Sequence, residues 1–205
     1  MGNQIASGRR RSLEAVIENS RCYKPLNIQW DTARRGRSIR FDGKRAIKSY
    51  GAWGVCTPSA SIAVSSARCI EYEFEIKIMF DSHGKGSAVM MGFIDRSVMT
   101  DGFDFDGNLS DIPDDKRWTF QIGDGQKGLI RLFGHSHSIK LHQDFSDEDT
   151  FRLRINFKRR EIELFYNGQS VGVLFEGIPL STQLVPCLSL KNATVHMMAS
   201  NIIEI

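Results

Sequence analysis

The sequence predicts an all-β fold, two antiparallel sheets packed as a sandwich, and three stretches carry that prediction. In Ile70–Met79, IEYEFEIKIM, residues Ile70, Tyr72, Phe74, Ile76 and Ile78 face one way while Glu71, Glu73, Glu75 and Lys77 face the other. A period of two belongs to a strand with one buried face. The same alternation runs through Leu153, Ile155 and Phe157, set between Arg152, Arg154, Asn156 and Lys158. Arg159-Arg160 turns that chain and Glu161-Ile162-Glu163-Leu164 carries the alternation back. Asn167-Gly168 then separates two apolar runs. Both residues tolerate φ > 0, so the pair predicts a two-residue type I′ hairpin turn. Three antiparallel strands this close in sequence make a β-meander.

Composition bounds the rest. A chain of 205 residues is one domain, or one domain with a tail, and is large enough for a substantial core. The division read here is a basic segment over 1–20 and a sandwich over 21–205. Hydrophobic content of 41% with 25% charged residues is that of a soluble globular protein. No apolar run approaches the roughly 20 residues that span a bilayer, and no secretory hydrophobic segment is present. Cys22, Cys56, Cys69 and Cys187 show no CxxC spacing, and Cys69 and Cys187 sit in strand-like apolar runs. They read as buried, reduced thiols, which points to the cytoplasm.

Charge is unevenly distributed. Residues 1–48 hold twelve Lys or Arg against four Asp or Glu, whereas the other 157 residues hold fifteen against twenty. A basic N-terminal quarter invites an anionic partner. At its start, MGNQIASG resembles an N-myristoylation signal on Gly2, with Ala6 where Ser or Thr is usual. Arg9, Arg10 and Arg11 would add the electrostatic attraction to a membrane that a single acyl chain needs. Ser12, directly after them, is a phosphorylation candidate whose modification would cancel much of that attraction. Ser12–Ile17 follows as a short helix, with Ser12 as its N-cap.

In chain order, the strand pattern begins with Ile28–Asp31 and Ser38–Phe41, separated by Ala33–Gly36. Asp42-Gly43 is a turn and Arg45–Lys48 restarts the chain. Ser49–Ser59 reads as a loop carrying Tyr50 and Trp53. The strand Ile70–Met79 follows, then Ala88–Ile94 with Gly92 inside it. Next come Arg117-Trp118 with Gly123-Asp124-Gly125, the meander, a Phe-Glu-Gly-Ile-Pro loop, and the apolar run Leu184–Leu190.

That order resembles the SPRY (B30.2-type) domain family. The residues that match its C-terminal signature are Phe165, Tyr166, Asn167, Gly168, Gly172, Phe175, Pro186, Ser189 and Leu190. Upstream, Ile70–Met79 resembles the family's "yYwEvkI" strand with Phe74 where Trp is common, and Gly92 occupies the glycine of the next strand. The chain departs at the Gly-Asp pair that opens the meander, where Asp147–Thr150 stands instead. The resemblance runs from about Ile28 to Ile205. It implies a concanavalin-like sandwich that acts as a non-catalytic adaptor, binding a peptide of a protein partner in a shallow cleft of rim loops.

Asp95–Asp115 contains seven Asp, and Asp104, Asp106, Asn108 and Ser110 have the oxygen spacing of a calcium loop. Leu109 at the required Gly position breaks that pattern, so the segment reads as a solvated acidic loop. His135, His137 and His142 have no matching Cys or acidic ligand and read as exposed. Gly84-x-Gly86 and Gly123-x-Gly125 open no helix, so neither is a dinucleotide cradle. No nucleophile–base pair is visible, and no metal or cofactor is expected. Trp118, Phe74 and Phe175 read as core.

The binding residues expected are Tyr50 and Trp53 in one loop and Phe103, Phe105 and Asp106 in another, because large apolar residues there have no strand pattern to bury them. The alternative is a carbohydrate-binding lectin on the same kind of sandwich, using Asp101–Asn108. Nucleic acid is disfavoured, since no aromatics interleave the N-terminal arginines.

Overall fold

The structure, a computed structural model, describes residues 23–49, 52–58, 64–80, 86–123, 126–133, 138–141 and 144–205. Gly2, Arg9–Arg11, Ser12, the Ser12–Ile17 helix, Cys22, Tyr50, His135, His137 and His142 lie outside these residues. None of the described helices is long and apolar enough to cross a membrane.

The described strands are β1 (Lys24–Pro25), β2 (Trp30–Arg35), β3 (Arg40–Asp42), β4 (Arg45–Lys48), β5 (Gly54–Pro58), β6 (Cys69–Phe80), β7 (Ala88–Asp95) and β8 (Arg117–Gly123). They continue as β9 (Gln126–Leu132), β10 (Ser138–Lys140), β11 (Thr150–Asn156), β12 (Glu161–Tyr166), β13 (Gln169–Phe175), β14 (Leu184–Lys191) and β15 (Ala193–Glu204). One sheet has the order β13-β12-β11-β6-β15-β4-β3, with β1 also on β15; the other runs β10-β9-β8-β7-β14-β5-β2. All the strand pairings are antiparallel. The first five strands join the sandwich through two late ones: β5 on β14, β1 and β4 on β15, with β2 and β3 outside β5 and β4.

The period of two explains the layers. On β6, Tyr72, Phe74, Ile76 and Ile78 are fully buried and meet Val89, Met91 and Phe93 of β7 in the main core. Phe74 and Phe93 pack edge to face with ring centroids 5.5 Å apart, a geometry that adds to simple burial. Phe74, Trp118 and Phe175 are core residues as expected. The meander is β11, β12 and β13, and Asn167 and Gly168 both have positive φ, 47° and 78°, as a type I′ turn requires.

Asp149 explains the motif around that turn. Its carboxylate accepts hydrogen bonds from the Tyr166 hydroxyl at 2.6 Å, the Asn167 amide at 2.9 Å and the Ser146 backbone N–H at 2.7 Å. The departure at the start of the meander is therefore confined to one residue. Asp149 supplies the carboxylate, and Glu148 holds φ 77°, a conformation that suits glycine.

Two expectations are corrected. Within Ser49–Ser59, Gly54–Pro58 forms β5, buried along its whole length between β14 and β2. A strand covered on both faces shows no alternation, and its Gly and Pro imitate a loop. The outward face of β6 is also not simply solvated: Glu71 and Glu73 are only 1% and 5% exposed. Glu71 accepts from the Tyr23 hydroxyl at 2.9 Å and the Asn156 amide at 2.6 Å, while Asn201 donates to Glu73 at 2.8 Å. Buried carboxylates survive there because each is hydrogen-bonded.

Candidate functional site

The segment 96–116 connects β7 to β8 and folds over the outer face of the seven-stranded sheet. Leu109 and Ile112 are buried against Met90, Ile94, Val55, Val185 and Cys187, a second and smaller apolar cluster. This is why every residue of β7 is buried: its even positions are covered by the segment and its odd ones by the other sheet. The expected solvated loop is thus half right. Asp101, Asp104, Asp111, Asp114 and Asp115 are exposed, but the apolar residues between them hold the segment down.

Polar contacts fix its path. Lys116 and Asp95 pair at 3.0 Å and bracket its two ends. Burial pushes the Asp95 carboxyl up, but the Ser97 N–H and hydroxyl and the Lys116 ammonium outweigh it, so its pKa lies below the ordinary value. Asn108 and Asp111 form a reciprocal cap on a short 3-10 turn. The Arg117 guanidinium, itself buried, donates to the Leu109 carbonyl at 2.9 Å and to Asp114, and lies 5.2 Å over the Phe133 ring. The oxygens with calcium-like spacing are used within the segment: Asp104 accepts from the Asp106 N–H at 2.9 Å, and Asn108 from the Ser110 N–H at 3.1 Å.

The tip of this segment meets two other loops. Val55 N–H donates to the Phe105 carbonyl at 2.7 Å, and Gly36 N–H to the Val55 carbonyl at 2.8 Å. The Arg37 backbone N–H donates to Asp106 at 2.7 Å, and its guanidinium pairs with the same carboxylate at 3.3 Å. A side chain at Gly36 would place its Cβ 2.6 Å from the Phe105 carbonyl oxygen, so the junction closes only around glycine.

Of the five expected binding residues, four come together here. Trp53, Phe103 and Phe105 are half-buried and pack on the second cluster, with the Phe103 and Phe105 rings 4.7 Å apart at 69°. Asp106 faces Arg37, and Tyr50 lies outside the described residues. Sequence reasoning did not single out Gly36 and Arg37; the Arg-Gly-Arg run between two short strands was the available signal.

The described thiols offer no activated nucleophile. Cys56, Cys69 and Cys187 are buried and unbridged, and burial raises all three pKa values, Cys69 to about 11. What the junction presents is shape: aromatic edges, an ion pair and backbone groups at one rim.

The family model of the SPRY domain matches residues 71–202, more than half of the chain. Among solved structures, the human HERC1 SPRY domain aligns at TM-score 0.56 with 16% identity, covering 83% of this chain and 98% of that one. The PSpry domain of TRIM65 aligns at TM-score 0.57 and 10% identity, over 84% and 92% of the two chains. The Emp46p carbohydrate recognition domain, in its potassium-bound form, aligns at 0.53 and 12%, over 85% and 88%. These likenesses concern the fold. No curated protein sequence matches the chain.

Proposed function

This chain belongs to the SPRY domain family, and on that premise we propose that it binds a peptide segment of a protein partner at the junction of loops 36–39 and 103–108 with Trp53. SPRY domains are in general protein-interaction modules. The observation that carries the reading is the convergence of Trp53, Phe103 and Phe105, half-buried over their own apolar cluster, with the Arg37–Asp106 pair beside them. Interfaces concentrate their energy in such partly sunk aromatics and arginines. The role is that of a non-catalytic adaptor.

The test is selection of peptides from a display library on the full chain, followed by binding to Trp53→Ala and Phe105→Ala. Each substitution should weaken selected peptides by about tenfold or more, with a cooperative melting transition retained. Undiminished binding by both variants would move the site elsewhere.

The second reading, a carbohydrate-binding sandwich, draws support from the likeness to the Emp46p domain. Against it, Asp104, Asp106 and Asn108 already bond within the segment or to Arg37. Retention on immobilised glycans with calcium, lost on chelation, would favour it. For the first dozen residues the proposal remains reversible attachment to the cytoplasmic face of a membrane through Gly2 and Arg9–Arg11, supported by their motif. Gly2→Ala should then release the protein to the soluble fraction, and Ser12→Asp should do so partially; identical fractionation of wild type and Gly2→Ala would overturn it.

A further inference from the structure

Beside the loop junction the chain passes from one sheet to the other. Among the described residues β2 is the outermost strand of the seven-stranded sheet and β3 the outermost of the eight-stranded one, so residues 36–39 cross a lateral edge of the sandwich. A cleft of about 320 Å³ lies at this crossing. Ile39 and Phe41 line it with apolar surface, Thr32 and Ser38 bring hydroxyls, and Arg35, Arg37 and Arg40 bring three guanidiniums.

The arginines are not equivalent. Arg35 is held in place: it donates to the Ile39 carbonyl and lies with its guanidinium carbon 5.5 Å from the Phe41 ring centroid. Phe41 is in turn stacked on the buried Trp30 at 5.6 Å and 7°. A guanidinium fixed by two contacts loses little further freedom when it takes a ligand, and it keeps N–H donors to offer. Arg37 already holds an anion, the Asp106 carboxylate, through both its backbone N–H and its side chain. Arg40 is exposed, and neither it nor Arg35 forms an ion pair with a described carboxylate. Across residues 30–45 six Lys or Arg stand against two Asp.

We propose that this cleft receives the phosphate of a phosphorylated serine, threonine or tyrosine carried on an extended peptide. A phosphomonoester brings nearly two negative charges and three acceptor oxygens, which suit forked guanidinium donors better than a single carboxylate does. The peptide source is favoured by the backbone. Among the described residues, no strand pairs with the outer edge of β2 or of β3. An extended chain can hydrogen-bond such edges; a lipid surface has no strand to add. Phe41 is already faced by Arg35 and Trp30, so it is no open platform for a nucleobase. The proposal rests on the peptide-docking reading, because Arg37 links the cleft to Asp106 and the loop junction.

The experiment uses the full chain and twin degenerate peptide libraries, one with a central phosphoserine, phosphothreonine or phosphotyrosine and one with the unmodified residue. The phosphorylated set should bind about tenfold or more tightly. Arg40→Gln should abolish that preference while leaving the unmodified set unchanged; because Arg40 is exposed, the variant should fold. Arg35→Gln should do the same, with its melting transition recorded because Arg35 also braces the crossing. Equal binding of the two libraries by wild type would overturn the cleft assignment and leave peptide docking standing. Binding by neither library would overturn both readings. Sedimentation with vesicles of phosphatidylcholine and phosphatidylserine that depends on Arg40, without any phosphopeptide preference, would reassign the cleft to a lipid surface.

Discussion

Single residues decide two features of the meander. Gly168 sits at φ 78° with no neighbouring atom within 4 Å of where a Cβ would stand, so any cost of substitution there is conformational, not steric crowding. Gly168→Val should therefore lower stability by more than about 1 kcal/mol, since β-branched residues rarely adopt that conformation. Chemical denaturation reads it directly; an unchanged midpoint would contradict the turn. Asp149 is 6% exposed and accepts from Tyr166, Asn167 and Ser146. Asp149→Ala removes the carboxylate that these three donors share and should cost about 3 kcal/mol or more. A loss under 1 kcal/mol, about one good hydrogen bond, would mean that water replaces the carboxylate without penalty. The turn was legible because Asn-Gly names its own dihedrals. The role of Asp149 was not, because a motif says which residues recur and nothing about which atom holds the others.

At the level of elements, the strands that alternate were readable and those that do not were missed. β6, β11 and β12 bury one face in apolar core and display the period of two. β5 is buried on both faces, and β15 has its register shifted between Met197 and Ala199, which breaks the alternation. Segment 96–116 looked solvated because its Asp residues outnumber the Leu and Ile that pin it. Its bracket has a pH dependence with a definite sign. The folded pKa of Asp95 is depressed, so its contribution is complete above the unfolded carboxylate value near about 3.9 and vanishes as pH falls through the lower folded value. Amide protection at Ser97 should accordingly drop in that acidic window, once intrinsic exchange rates are corrected. Lys116→Met should weaken this pH response without abolishing it, because the Ser97 N–H and hydroxyl also favour the Asp95 carboxylate. Protection that persists in wild type below both values would show that Leu109 and Ile112 hold the segment without help from the bracket.

The whole molecule sets the reactivity of its thiols. Cys56 and Cys187 belong to the two apolar clusters on opposite faces of one sheet, and both are inaccessible. A neutral thiol-specific reagent should label them only as fast as the sandwich opens, and at the full rate in denaturant. Fast labelling of Cys187 in the native protein would mean that segment 96–116 lifts on its own. At this scale the candidate site was legible only in part. Its aromatics declared themselves as apolar residues without a strand, but the partner loop around Gly36 and Arg37 reaches them through space, across 69 positions of sequence.

The attachment of the first five strands to β14 and β15 has a consequence for synthesis. A ribosome releases residues 24–58 long before residues 184–204 exist, so β1, β4 and β5 wait without their β14 and β15 partners while most of the chain is made. Pairings this distant in sequence close slowly, on the millisecond-to-second scale typical of all-β topologies. Until they close, β5 exposes apolar surface on both faces, a target for chaperones and for aggregation alike. A chain stopped before Leu184 would have no place to put its N-terminal quarter. Premature termination late in the message should thus be far more damaging than the few missing residues suggest.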